Sequence, residues 1–212
     1  MPNVSYCEDD RDVHYNPYVE PPFFCKLTLN DGSVVEIEDT DGRGRLTREM
    51  TEGFKSTCVG VEIGDLCTMV YSDVSESIFY EWSITSLTIG NNVNFIGELA
   101  ANDCNELTSL IIPNSVTRIA YQCFYGCNGL TTLTIGNGIT EIGDSSFCLC
   151  PSLTEIIIEA ETPPTLRFDG DERPFNRTNN CPIYVPSGSV EAYKSASSWS
   201  VYADRIQAIP TT

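Results

Sequence analysis

The residues best placed to do chemistry in this 212-residue chain are its ten cysteines. In LIIPNSVTRIAYQCFYGCNGL (110–130), Cys123 and Cys127 stand four apart around an aromatic pair, and further on Cys148 and Cys150 stand two apart. Thiols at such spacings serve as zinc ligands, redox pairs or nucleophiles. A zinc site needs four converging ligands, and the chain's one histidine, His14, lies far upstream in the polar stretch RDVHYNPY. A cysteine nucleophile needs a base beside it, and none stands near Cys123 or Cys148. No glycine-rich phosphate loop occurs. The acidic run EDTDGRG (38–44) invites a calcium-loop reading, but that frame would put Ile37 first and Arg48 twelfth, so a turn is expected instead. The expectation is a non-enzymatic protein with no metal or cofactor.

The thiols acquire a different meaning once the chain is compared with itself. LTSLIIPNSVTRIAYQCFYGCNGL (107–130) moved forward by 23 residues falls on LTTLTIGNGITEIGDSSFCLCPSL, and moved back by 23 on ITSLTIGNNVNFIGELAANDCNEL. The apolar positions agree column by column. Leu87, Leu110, Leu133 and Ile156 form one column, and Ile89, Ile112, Ile135 and Ile158 the next. Val93, Val116 and Ile139 follow, then Ile96, Ile119 and Ile142, then Phe124 and Phe147. Ile84, Leu107, Leu130 and Leu153 make another. VEIGDLCTMV (61–70) starts a looser copy, giving at least three regular repeats and one irregular one.

Each repeat reads as one coil. LTSLIIP alternates apolar and polar residues with the period of a strand, so Leu110 and Ile112 point inward and Ser109 and Ile111 outward. Pro113, or Gly90 and Gly136 in the neighbours, ends that strand before an Asn. SVTRI supplies Val116 and Ile119, and a compact turn supplies Phe124, Cys127 and Leu130. Each inward side chain contributes roughly 1.5–3 kcal/mol when buried. A single coil leaves both flat sides wet, so only stacking at about 4.8 Å completes the core. Cys104, Cys127 and Cys150 share a core column and are expected to be reduced, because parallel column mates seldom meet disulfide geometry. Cys123 aligns with Ala100 and Ser146, also small. Cys148 aligns with Tyr125 and Asn102, which predicts partial exposure.

The pattern L-x-x-L-x-I-P-x-S-V-T-x-I-x-x-x-x-F-x-x-C-x-x-L at 107–130 resembles the BspA-type leucine-rich repeat of bacterial surface proteins. CPIYVPSGSVEAYKSASSWSVYADRIQAI (181–209) resembles the segment that closes such arrays in gut bacteria. The resemblance implies a mostly β fold with short helical turns: a right-handed leucine-rich repeat solenoid of 23-residue repeats. It also implies a surface or secreted protein with a role in adhesion or protein binding, and no catalytic residues. The N-terminus MPNVSYCEDDRDVHY has no basic start or apolar run, so no secretory or lipoprotein signal is expected in this chain, which leaves a cytoplasmic location open.

The expected organisation is a tail and capping hairpin over 1–60, the solenoid over 61–162 and a cap over 163–212. The hairpin is CKLTLNDGSVVEIE (25–38), turning at Asp31-Gly32. Thr47 is expected to cap a short helix, REMTEGF. Downstream, Pro163-Pro164 breaks the array, RFDGDERPFNRTNN (167–180) reads as a polar loop, PIYVP (182–186) as a last strand, and Ser189 starts a helix presenting Val190 and Tyr193 near Trp199. The sequon Asn176-Arg177-Thr178 lies in that polar loop.

The net charge is −18. Between residues 61 and 160 the basic residue is Arg118 alone, against twelve Asp and Glu. Such a surface repels phosphate, which excludes nucleic acid and anionic lipid as expected partners, and no apolar run is long enough to span a membrane. The acidity serves solubility or attracts a basic partner or calcium. The expected partner is a protein. The candidate binding residues are the outward, uncharged column Thr88, Ile111, Thr134 and Ile157, and a second outward column of Phe95, Arg118 and Glu141, where Arg118 can lie between an aromatic face and a carboxylate. The alternative reading is a structural component of a larger assembly, such as a phage or surface appendage.

Overall fold

The computed structural model describes residues 23–39, 42–70, 77–168 and 172–211. The N-terminal tail with His14 lies outside them.

The chain enters through an antiparallel hairpin of β1 (Cys25–Leu29) and β2 (Val34–Ile37). Gly32 takes the left-handed conformation that closes its turn (φ 84°), while the Asp31 carboxylate accepts bonds from the Ser33 amide at 2.9 Å and its hydroxyl at 2.6 Å. Strand β3 (Arg45–Leu46) and helix α1 (Arg48–Thr51) follow. Thr47 occupies the N-cap position in an extended conformation, but its hydroxyl makes no capping bond, so the expected side-chain cap is not made.

From here long and short strands alternate. They are β4 (Cys58–Ile63), β5 (Met69–Val70), β6 (Ser86–Ile89), β7 (Phe95–Ile96), β8 (Ser109–Ile112), β9 (Arg118–Ile119), β10 (Thr132–Ile135), β11 (Glu141–Ile142), β12 (Glu155–Ile158) and β13 (Thr165–Leu166). After them come β14 (Ile183–Val185), helix α2 (Val190–Ser195) and β15 (Ile206–Ala208). The short strands form one sheet in the order β13-β11-β9-β7-β5-β3, and each neighbouring pair in it is parallel. The long strands make two ladders, β2-β1-β4-β6 and β15-β14-β12-β10-β8. Register steps by one coil: Thr132 faces Ser109 and Glu155, and Ile135 faces Ile112 and Ile158. This is the parallel stacking that the 23-residue period requires.

Strands β6 and β8 are neighbours without a hydrogen-bonded ladder. One bond withheld from this seam lies one residue beyond β8. Gly136 packs so closely on the coil before it that a Cβ would stand 2.7 Å from the Asn114 nitrogen, and its amide donates to Ile112 at 2.9 Å. Pro113 holds the same position in the preceding coil, carries a ring and has no N–H to donate.

The third side of each coil is a turn that also bonds from coil to coil. The amides of Leu99, Ala101 and Asp103 donate to the carbonyls of Tyr121, Cys123 and Tyr125 at 2.9, 2.7 and 2.8 Å, and those of Gln122, Phe124 and Gly126 reach Asp144, Ser146 and Cys148 in the same way. Threonines add a further ladder: Thr131 and Thr154 donate hydroxyl and amide alike to the carbonyl of the threonine one coil back.

Inside, Leu110, Ile112, Val116, Ile119, Phe124 and their column mates are buried. Phe124 stacks on Phe147 at 5.4 Å, and Phe147 on Phe175 at 5.7 Å. Phe175 belongs to the segment expected to be a polar loop. Its residues 174–180 instead form a further turn of the stack, with Phe147 donating its amide to Pro174 at 3.0 Å and Leu149 to Asn176 at 3.1 Å. Nor does Pro163-Pro164 end the second sheet, since Thr165 and Leu166 pair with Glu141 and Ile142. The last strand is β15, not β14: Ile183 pairs with Ile206. Phe175, Tyr193, Trp199 and Tyr202 close this end as one aromatic cluster.

Candidate interaction surfaces

The described cysteines are free and buried. The core column donates its thiols to backbone carbonyls of the coil before it: Cys104 to Phe79 at 3.0 Å, Cys127 to Ala101 at 3.3 Å and Cys150 to Phe124 at 3.4 Å. Cys123 reaches the Gly97 carbonyl at 2.7 Å. Burial pushes the Cys127 thiol up to about 12 and raises Cys104, Cys123 and Cys150 as well. Cys148 is buried rather than partly exposed. The turn at 174–180, unforeseen in the repeat alignment, is the coil stacked on it. Among the described residues, no group of three or more His, Cys, Asp or Glu is arranged to hold a metal ion.

A labelling experiment tests this placement. Because attack requires an accessible thiolate, Cys104, Cys127, Cys148 and Cys150 should react with a maleimide orders of magnitude more slowly in native buffer than in denaturant. Mass spectrometry of peptides from briefly labelled native protein reads this directly. Rapid native modification of those four would overturn the core assignment.

The two candidate columns lie on different sheets. On the first, Thr134 sits between Ile111 and Ile157 in register, while Thr88 lies beyond the unpaired β6–β8 seam and pairs with Glu62 of β4. Ile111 is 67% exposed, whereas Thr134 and Ile157 are half-buried. The structure lengthens this column by Tyr184, which pairs with Ile157 and then with Gln207. Its signal in the sequence was the alternation of CPIYVP, where Ile183 and Val185 point inward. Toward the hairpin the same column turns charged, with Lys26 facing Glu36 and Glu62.

On the second sheet the outward column runs Arg45, Met69, Phe95, Arg118, Glu141 and Thr165. The Arg118 guanidinium lies 5.4 Å from the centre of the Phe95 ring and donates from Nε to Glu141 Oε1 at 2.8 Å. Arg167, not singled out in the sequence, donates from Nε to the other carboxylate oxygen at 2.9 Å. Partial burial alone would raise the Glu141 carboxyl, but the bonds and charges of Arg167 and Arg118 outweigh it and hold it below the ordinary glutamate value. A small concavity elsewhere is lined by Arg48, Glu52, Lys55, Tyr80 and Trp82, and its cations are paired with Glu52 and Glu81 at 3.0 and 3.6 Å.

Stacked coils of about 23 residues, each with one long and one short parallel strand and a conserved-size apolar filling, define a leucine-rich repeat fold. Residues 72–167 match the family model of the BspA type leucine rich repeat region, in six copies. Among solved structures, the pneumococcal vaccine antigen PcpA superposes with a TM-score of 0.56 at 16% identity, over 85% of this chain and 47% of that one. At that identity the likeness is one of fold, and this chain spans about half the length of the antigen. No curated protein matches the chain. Among the described residues no helix is long and apolar enough to cross a membrane.

Proposed function

We propose that the protein is a non-enzymatic protein–protein interaction or adhesion module of a bacterial surface or secreted protein, which binds through the outward face of its first sheet. The hairpin and the C-terminal strands and helix act as caps that keep the two ends of the solenoid from pairing with other chains. One observation carries the choice of face. Ile111, Thr134 and Ile157 form an uncharged β-branched column, with Ile111 67% exposed, on a chain of net charge −18. The repeat family supports the protein-binding reading in general terms.

Ile111→Lys combined with Ile157→Lys tests it. Strand propensities differ by only about 1 kcal/mol, so the double variant should fold with nearly unchanged stability. It should lose any protein that the wild type captures from host or bacterial lysates. Capture with unchanged affinity would move the site off this face.

A further inference from the structure

On the second sheet, Glu141 holds two guanidiniums, each by its Nε and each on a separate carboxylate oxygen, at 2.8 and 2.9 Å. Their side chains remain 53% and 67% exposed, while Glu141 is 22% exposed beneath them. The Nη nitrogens of both arginines take no acceptor among the described residues. A guanidinium offers five N–H donors in a planar fork, so among the described residues each arginine keeps its Nη edge free while its Nε edge is fixed. Phe95 supports Arg118 from the other side, and Met69 stands next to Phe95 in register, both half-buried. The three charged groups sum to a single positive charge, in a stretch where Arg118 is otherwise surrounded by acidic residues.

We infer that Arg118 and Arg167, positioned by Glu141, form a recognition site for one carboxylate of a partner protein, an aspartate or glutamate side chain presented next to an apolar residue that rests on Phe95 and Met69. Each fork matches the two oxygens of a carboxylate, which bonds to guanidinium in bidentate fashion. Charge complementarity limits the ligand. One net positive charge suits one carboxylate, whereas a polyanion would meet the repulsion of the surrounding acidic surface. This site deepens the protein-binding reading and depends on it, but it lies on a different sheet from Ile111 and Ile157.

The test uses the full chain labelled with nitrogen-15, so that the Nε–H signals of Arg118 and Arg167 are followed directly. The probe is an end-blocked hexapeptide of valine and phenylalanine with a single central aspartate, compared with the same peptide carrying asparagine. The aspartate peptide should shift both signals and bind about tenfold more tightly than its neutral counterpart, as charge-assisted bidentate pairs do. Arg118→Gln and Arg167→Gln should each abolish that difference with the backbone amide spectrum intact. Arg118→Lys should reduce it, because an ammonium keeps the charge but not the fork. Equal responses to the two peptides, or discrimination that survives both glutamine substitutions, would overturn the proposal. So would a heparin tetrasaccharide that binds these arginines more tightly than the peptide, since it would assign them to sulfated polymers. Ile111→Lys with Ile157→Lys should leave the peptide titration unchanged, so failure of the first-sheet face and failure of this site are read separately.

Discussion

Replacing Trp199 by alanine should destabilise the protein by about 3–5 kcal/mol, a large share of the roughly 5–15 kcal/mol that keeps a domain folded. The indole is fully buried and its Nε1–H donates to the Pro164 carbonyl at 2.7 Å. Its ring centre lies 5.0 Å from that of Tyr193, 5.8 Å from Phe175 and 6.1 Å from Tyr202. These neighbours are themselves tied down: Tyr193 donates its hydroxyl to Ala160 at 2.9 Å, and Tyr202 accepts the Phe175 amide at 3.2 Å. They cannot all collapse into the space an alanine would leave, so a cavity term adds to the lost transfer energy. Trp199→Phe removes the donor but little of the volume and should cost about 1–3 kcal/mol, the penalty of leaving the buried Pro164 carbonyl unpaired. Chemical denaturation followed by far-ultraviolet circular dichroism gives both values, with the midpoint falling and the slope unchanged. A loss below about 1 kcal/mol for Trp199→Ala would mean that the aromatic cluster does not unfold with the array.

The features legible in the sequence were those whose side chains carry a periodic signal. Leu110 and Ile112 with their column mates are fixed by alternation, and the hairpin turn by Asp31-Gly32. Three features were hidden for physical reasons. The third side of each coil needs left-handed residues at Leu99, Gln122 and Ser145 (φ 58°, 49° and 53°) and again at Asp103, Gly126 and Leu149, and only one of these is a glycine. Backbone bonds between coils impose that conformation, so residue type does not announce it. Phe175 stacks on Phe147 although it stands 28 residues later instead of 23, because the intervening Pro163-Pro164 and polar residues lengthen the coil without breaking it. Losing that coil from the alignment also hid the burial of Cys148, the second arginine on Glu141 and the continuation of the first-sheet column to Tyr184. At the seam between β6 and β8, Pro113 withholds one coil-to-coil bond, yet it reads in sequence as a normal strand terminator.

Cutting the chain after Thr162 should give dimers or aggregates, since the removed segment supplies partners for every side of the last complete coil. Strand β12 would lose β14, opposite Ile156 and Ile157, and β11 would lose β13. The amides of Phe147, Leu149 and Ile156 would lose the carbonyls of Pro174, Asn176 and Pro182. Phe147, now fully buried, would expose a ring face that Phe175 covers at 5.7 Å. An open parallel edge of this kind, with Ile156 and Ile158 at its inner face, is a template for pairing with another chain. Each uncovered large side chain forfeits roughly 1.5–3 kcal/mol of burial, so the cut end stabilises association while weakening the fold. Size-exclusion chromatography with light scattering, together with thermal unfolding, reads both effects. Recovery of a soluble monomer that unfolds in one sharp transition would show that residues 163–212 form a module of their own. The aromatic cluster around Trp199 would then be the core of that module, not the closing layer of the solenoid.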